Sequence, residues 1–265
     1  MAAIFETIEK GLAAWGFDLC QPFAVEDYND NVSEVNMIPS MGRETTLAIL
    51  VGNSRNIWEH FIAEMAKDDA LYHSENPLDD YTKQKIQSVV SRLHIRTKVL
   101  YSCHSRQLPL LNFQLIAEIS GMCKRSDRSH MCYHYKYGHW IGLRAVIVLD
   151  YPYVYNLSTK HMVDFEICEK CDKEYGRRLD RICRDSNLLK TYRSPLVWRS
   201  WLEMRTICTH NKYNYTYEEA CYHYSKNRHI LEKEVERYRK GDFTQNYDWL
   251  EDFNKDPEHY RIVDD

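Results

Sequence analysis

Residues 131–150 read MCYHYKYGHWIGLRAVIVLD, and the chain changes character halfway through them. The first half crowds Cys132, His134, His139, Trp140 and three tyrosines together. The second half is apolar and rich in β-branched residues, and Arg144 alone interrupts it. A short run of Val, Ile and Leu predicts a buried strand, and WIGLRAVIVLDYPYVY (140–155) is the strongest strand signal in the chain. A guanidinium inside such a strand must emerge at a sheet edge or face a polar cavity, because burying it unpaired is too costly. It then meets either an internal Asp or Glu, or the carboxylate of a ligand held through paired donors. The residues alone leave both outcomes open. Cys132, taken by itself, reads as a buried apolar thiol.

Helical and strand patterns alternate around this segment. Ile4, Ile8 and Leu12 recur at helical spacing in AIFETIEKGLAA, with Gly16 as a stop. TLAILVG (46–52) predicts a buried strand, and NSRNIWEHFIAEMAK after it predicts a helix capped by Asn53 or Ser54, with Ile57, Phe61 and Met65 facing the core. NPLDDYTKQKIQSVVSRLH predicts an amphipathic helix with proline in its first turn. IRTKVLYSC (95–103) alternates as a half-exposed strand would. PLLNFQLIAEISG predicts a helix from Pro109 to Gly121, with Leu110, Phe113 and Ile116 toward a core and Gln114 on a face with Ala117 and Gly121. Beyond 155 the chain is charged and irregular, with helices expected near KEYGRRLDRICRDSNLL (173–189) and in YTYEEACYHYSKNRHILEKEVERYRKG. The acidic end, DFTQNYDWLEDFNKDPEHYRIVDD, is expected to lie over the surface. This alternation predicts an α/β or α+β domain and argues against a helical bundle.

Composition narrows the classes of function. In 265 residues, 44% hydrophobic with nine Gly and seven Pro, there is little room for long disordered segments. A net charge of −4 argues against nucleic acid as the main partner. The first residues, MAAIFETIEKGLAAWGF, lack the unbroken apolar core of a signal peptide, and no apolar run reaches the roughly 18 residues of a membrane span. Nine irregularly spaced cysteines fit free thiols in a reducing compartment, so a cytoplasmic protein without membrane attachment is expected. Twenty tyrosines suit core edges or the wall of a large, partly polar pocket.

Local motifs are sparse. Cys168-Glu-Lys-Cys171 is a CxxC, but neither Cys183 nor Cys208 has a second cysteine at that spacing, so no metal site is expected. A thioredoxin-like role is poorly supported too, since the segment is charged and follows no clear strand. No nucleophile elbow, phosphate loop or dinucleotide fingerprint is present.

Several longer stretches together resemble one family. In order, GFDLCQPFAVEDYN (16–29), TTLAILVGNS (45–54), NPLDDY (76–81), NFQLIAEISG, MCYHYKYGHWIGLRAVIVL and VWRSW (197–201) are similar to the cobalamin-processing CblC family, over about residues 5–230. The resemblance implies a modified flavin-dependent nitroreductase-like fold, with a mostly antiparallel sheet, flanking helices and a cap. Residues 1–155 would form its main part, 156–240 the cap and C-terminal elements, and 241–265 an acidic extension. It implies a cytosolic enzyme that binds cobalamin base-off and removes the upper ligand. Dealkylation would use glutathione, and decyanation an electron from reduced FMN or FAD or another reductant. A CblD-type trafficking adaptor and a monomer or ligand-dependent homodimer complete the implied partners.

Carried over by position, the glutathione-binding arginines fall on Arg144, on Arg205 after a one-residue adjustment, and on Arg228. Cobalamin contacts fall on Leu100, Leu111, Asn112, Phe113, Gln114, Cys132 and Leu143. Leu100 stands where better-known relatives have an acidic residue. Only MCKRSDRSHM separates Gly121 from Cys132, where relatives carry a longer, tyrosine-rich segment. That shortening motivates a further expectation, that poorly shielded cobalamin cycles with oxygen and oxidises glutathione to its disulfide. The alternatives are a flavin-dependent nitroreductase or flavin reductase without cobalamin, and a cobalamin chaperone without catalysis.

Overall fold

The computed structural model of the protein describes residues 1–103, 108–155, 164–184, 195–208 and 212–255. Its compact units are residues 1–125 with 141–164, and residues 126–140 with 165–265. Residues 126–140 therefore group with the C-terminal elements, although the strand that follows them belongs to the first unit.

The first unit is built on an antiparallel sheet of β1 (Leu19–Ala24), β2 (Leu47–Asn53), β3 (Thr97–Tyr101) and β6 (Gly142–Leu149), in the order β1-β2-β6-β3. Two-residue strands β4 (Lys124–Arg125) and β5 (Cys132–Tyr133) fall between β3 and β6 in sequence, β4 in the first unit and β5 in the second. Every residue of β2 is buried, as are Ala145 to Leu149 of β6, which explains their unbroken apolar sequences. β3 is half-exposed, and it alternates accordingly. The strong strand ends at Leu149, short of the 155 that the sequence suggests, because Asp150 turns away to meet Arg43 at 2.7 Å.

Helix α1 (Ala2–Ala13) packs on α5 (Pro77–Val90), and α3 (Ile57–Met65) packs on α5 and on the one-turn α4 (Asp69–Tyr72). The N-terminal helix and the proline-led helix thus form where periodicity places them. Phe61 and Tyr81 meet at 5.5 Å between ring centroids, with Phe17 stacked on Tyr81 at 6.0 Å. The expected cap of α3 is corrected. Asn56 occupies the cap position, Asn53 ends β2, and Ser54 is held by the Asp18 carboxylate through its backbone N–H at 2.7 Å and its hydroxyl at 2.6 Å.

The helix expected from Pro109 is shorter. α6 (Phe113–Ile119) starts after Asn112, whose side-chain oxygen accepts from the Leu115 backbone N–H at 3.0 Å. Leu110 lies outside it and is 46% exposed, so it does not face a core as expected. Ala117 is buried beside Ile116 while Gln114 is exposed, so the expected shared face also fails.

The second unit is helical. α7 (Glu169–Arg184) begins a turn earlier than the sequence suggests, and the expected continuation to 189 lies outside the described residues. α8 (Pro195–Arg205) packs against α7 and α9 (Tyr217–Ser225). The helix formers over 215–241 divide into two helices, because Lys226 turns left-handed with φ 55° and Asn227 caps α10 (Arg228–Lys240). The acidic end is likewise corrected over 249–255, while 256–265 lies outside the described residues. α11 (Trp249–Lys255) buries Trp249, Leu250 and Phe253, and the Trp249 indole N–H donates to the Tyr215 carbonyl at 2.8 Å. Among the described residues, no helix is long and apolar enough to cross a membrane.

Candidate functional site

Arg144 sits on β6, an inner strand of the sheet, so escape at a sheet edge is ruled out. Its position depends on an irregularity. Val51 of β2 faces Ala145 and Gly52 faces Leu143, which leaves Arg144 as the extra residue of a β-bulge. On the other side its carbonyl accepts from the Ser102 backbone N–H at 2.9 Å, just past the last β3 pair, Tyr101 with Ala145. The bulge keeps both ladders attached while it re-aims one side chain.

That side chain folds back over Gly142. Its Nε donates to Asn53 Oδ1 at 2.5 Å, and the Asn53 amide is oriented by donating to the Ser54 carbonyl at 2.8 Å. Nη2 of Arg144 is buried and makes no hydrogen bond. Among the described residues no carboxylate pairs with Arg144, so the internal ion pair allowed by the sequence does not form. The two glycines are part of the construction. A Cβ on Gly142 would lie 2.8 Å from Asn53 Oδ1 and 2.9 Å from Arg144 Nη2, and one on Gly52 would lie 2.7 Å from the Gly142 carbonyl oxygen.

Leu100 and Leu143 share this strand pair with Arg144, Leu100 opposite Val146 and Leu143 opposite Gly52, and both are half-buried. Leu111, Asn112, Phe113 and Gln114 occupy the start of α6 in the same unit. Tyr28, on α2 (Val25–Asn29), anchors them, its hydroxyl accepting from the Asn112 backbone N–H at 3.1 Å. Asn112 and Gln114 are exposed there and Leu111 and Phe113 half-buried, a mixed polar and apolar rim. Asn112 spends its side-chain oxygen on the helix cap and keeps its amide N–H₂ outward.

Cys132, Arg205 and Arg228 belong to the second unit. Cys132 is half-buried on β5. Arg205 ends α8 in an aromatic and polar pocket. Its Nε donates to the Tyr224 hydroxyl at 2.6 Å, its guanidinium lies 5.9 Å from the Trp140 ring centroid, and its Nη1 is buried without a partner. Its carbonyl and His139 Nε2 are 2.9 Å apart, and the Tyr175 hydroxyl lies 3.0 Å from His139 Nδ1. Burial, with the Arg205 charge adding to it, pushes His139 down to about 3, so the imidazole is neutral at physiological pH. Arg228 opens α10 and pairs with Glu232 at 3.6 Å. Of the three predicted arginines, two therefore carry a buried, unpartnered guanidinium nitrogen.

Asn53, Gly142 and His139 were missed as site residues from the sequence. A glycine two residues before the lone arginine was the available signal for Gly142. Asn53 was obscured by its resemblance to a helix cap.

No protein-family model matches the chain. The bovine protein named cyanocobalamin reductase / alkylcobalamin dealkylase is 24% identical over 230 residues, covering 81% of this chain and 76% of the relative. The human protein of the same name is 23% identical over 81% of this chain and 75% of its own. The mouse protein of that name is 23% identical over 180 residues, 62% of this chain and 63% of its own. A crystal structure of a C. elegans B12-trafficking protein CblC, a homologue of human MMACHC, covers 87% of this chain and 94% of its own with a TM-score of 0.61. At 12% identity that likeness is one of fold. The chain is similar to CblC proteins over most of its length, in line with the resemblance of its ordered sequence stretches.

Proposed function

We propose that this CblC-like chain is a cobalamin-processing enzyme, which binds cobalamin as substrate and removes its upper ligand by dealkylation and reductive decyanation. The observation that carries the reading is Arg144, set on a bulge, held by a neutral amide and left with a buried donor that no group among the described residues takes. A thiol co-substrate bearing carboxylates, glutathione, supplies the missing acceptor. Arg205, with its own unpartnered Nη1, is the second anchor, and Arg228 a third.

The role of these residues is positional and electrostatic. Holding the peptide carboxylates fixes the thiol near the cobalt-bound carbon, and nearby positive charge favours the thiolate. The sulfur then bonds to that carbon while the cobalt–carbon electron pair stays on cobalt, giving a thioether and cob(I)alamin. Asn112 and Gln114 hydrogen-bond corrin amides, while Leu100, Leu111, Phe113, Cys132 and Leu143 cover apolar corrin edge, with the lower base displaced. For decyanation the electron comes from reduced FMN or FAD, or from another reductant. The nitroreductase-like ancestry of the fold, cytosolic placement, handover to a CblD-type adaptor, a monomer that dimerises on ligand binding, and oxygen-driven oxidation of glutathione all belong to this reading.

Mixing the protein with methylcobalamin tests it. A shift to the base-off spectrum and glutathione-dependent loss of the methyl group are expected. Binding without demethylation would favour a chaperone. Flavin-dependent oxidation of a nicotinamide with no cobalamin response would favour a flavin reductase.

A further inference from the structure

The CxxC has no part in the proposed reaction, and its surroundings differ from those its sequence suggests. Cys168 immediately precedes α7, and its carbonyl accepts the first helical bond, from the Asp172 N–H at 2.9 Å. It is exposed at the positive end of a 16-residue helix, while Cys171, one turn in, is 6% exposed. A third thiol, Cys208, joins them, and Cys171 is hydrogen-bonded to both. All three line one cavity of about 450 Å³, together with Tyr213, Lys136, Lys212 and Glu166. Among the described residues, no group of three or more His, Cys, Asp or Glu is arranged to hold a metal ion.

The first turn of α7 is rigidly fixed. The carboxylate of Asp172, itself buried, accepts from the Ser126 hydroxyl at 2.8 Å, the Ser129 hydroxyl at 2.5 Å and the Tyr133 hydroxyl at 3.2 Å. The two cysteines are also chemically unequal. The Cys171 backbone N–H and then its thiol hold the Cys168 thiol below its usual range, while burial pushes Cys171 well up. An accessible thiolate ahead of a buried protonated thiol is the arrangement that disulfide exchange requires.

We propose that Cys168 and Cys171 form a redox-active dithiol that reduces small anionic disulfides entering this cavity, with Cys168 as nucleophile and Cys171 as resolving thiol. The Cys168 thiolate attacks one sulfur of the disulfide, forming a mixed disulfide and expelling one thiolate, which takes up a proton. Cys171 loses its proton to solvent and attacks Cys168 Sγ, releasing the second thiol. The protein is oxidised by two electrons to the Cys168–Cys171 disulfide, and one disulfide becomes two thiols. Lys136, poised over the Tyr137 and Tyr213 rings at 4.9 and 5.4 Å, and Lys212 favour a substrate carrying carboxylates. Glutathione disulfide is the probe of that class.

The test uses the reduced full-length protein, glutathione disulfide, quenching by alkylation, and mass mapping. The wild type is expected to form the Cys168–Cys171 disulfide with Cys208 still open to alkylation after unfolding. Cys171→Ser is expected to accumulate glutathione on Cys168, and Cys168→Ser to form neither species. Cys183, exposed near the other end of the same helix, is the internal comparison, and in the untreated wild type Cys168 should alkylate several-fold faster. A wild type that stays reduced, a disulfide mapping to another pair, or Cys168 reacting no faster than Cys183 would each overturn the proposal. The alkylation comparison needs no variant, so misfolding of Cys171→Ser does not blunt it. None of these readouts involves cobalamin, so their failure is distinct from failure of the cobalamin reading.

Discussion

The guanidinium of Arg144 is bound by the side-chain oxygen of Asn53, a neutral acceptor 2.5 Å from Nε, and its buried Nη2 has no acceptor among the described residues. Leaving a charged donor unsatisfied costs stability, so the native state carries a deficit that a ligand carboxylate would offset. The bulge and the two facing glycines make room for that arrangement.

Arg144→Ala is therefore expected to lower kcat/KM for glutathione by about 10–100-fold, the usual loss for a charge-assisted hydrogen bond to a ligand. Cobalamin affinity, read from the base-off spectrum, should change little. Equal loss of both would make Arg144 a structural residue.

Asn53→Asp supplies the internal ion pair that Arg144 lacks among the described residues. Pairing Arg144 in this way should raise the KM for glutathione, while thermal stability falls by the lost donor to the Ser54 carbonyl less whatever the ion pair contributes. A variant with unchanged KM would count against Arg144 as the carboxylate anchor.

Gly142→Ala puts a methyl group where the Arg144 guanidinium now lies, 2.9 Å from Nη2. The guanidinium is the flexible end of a long side chain, so it should move while the strand remains. Weaker glutathione use with a melting temperature within a few degrees of wild type is the expected pair of results.

His139 gives the second unit a pH dependence. Its folded pKa of about 3 lies below the ordinary value of 6.5, because burial opposes the charged form. The unfolded chain therefore takes up a proton that the folded chain refuses. Stability is fully present above about 6.5 and declines as pH falls toward 3. Urea midpoints between pH 7 and 4 should show this decline, and His139→Gln should be less stable at pH 7 but flatter across the range.

Asp172 holds three hydroxyl groups inside the second unit. Asp172→Ala should cost about 2–4 kcal/mol, by stranding those donors, measured by denaturant unfolding. It should also slow alkylation of Cys168 relative to Cys183 if the first turn of α7 loosens.

Much of the fold is legible in local pattern. β2 and the apolar half of β6 are buried on both faces, and such strands advertise themselves as unbroken runs of Val, Ile and Leu. α1 and α5 each place one stripe against the other, so their periodicity is undiluted. Pro109 misleads, and the 215–241 segment, helical as expected, does not say where it divides. Asn112 caps α6 after the proline, and Lys226 adopts a left-handed turn that no glycine announces. The acidic tail hides three buried apolar side chains among charges that occupy the other face of a short helix.

By itself the sequence determined the strand that carries Arg144, the helices before it, and a resemblance to CblC proteins that rests on ordered stretches. Those are properties of residues near one another in the chain, and hydrophobic periodicity encodes them directly. Only the tertiary structure decided what surrounds Arg144 and Cys168. The bulge opposite Gly52 and the amide of Asn53 come from a strand some ninety residues away, |i−j| = 91 for the Arg144–Asn53 bond. The helix terminus, the buried Asp172 and the third thiol of Cys208 likewise meet Cys168 and Cys171 only on folding. A charge or a thiol acquires its chemistry from its neighbours in space, and a linear spacing cannot say which neighbours those are.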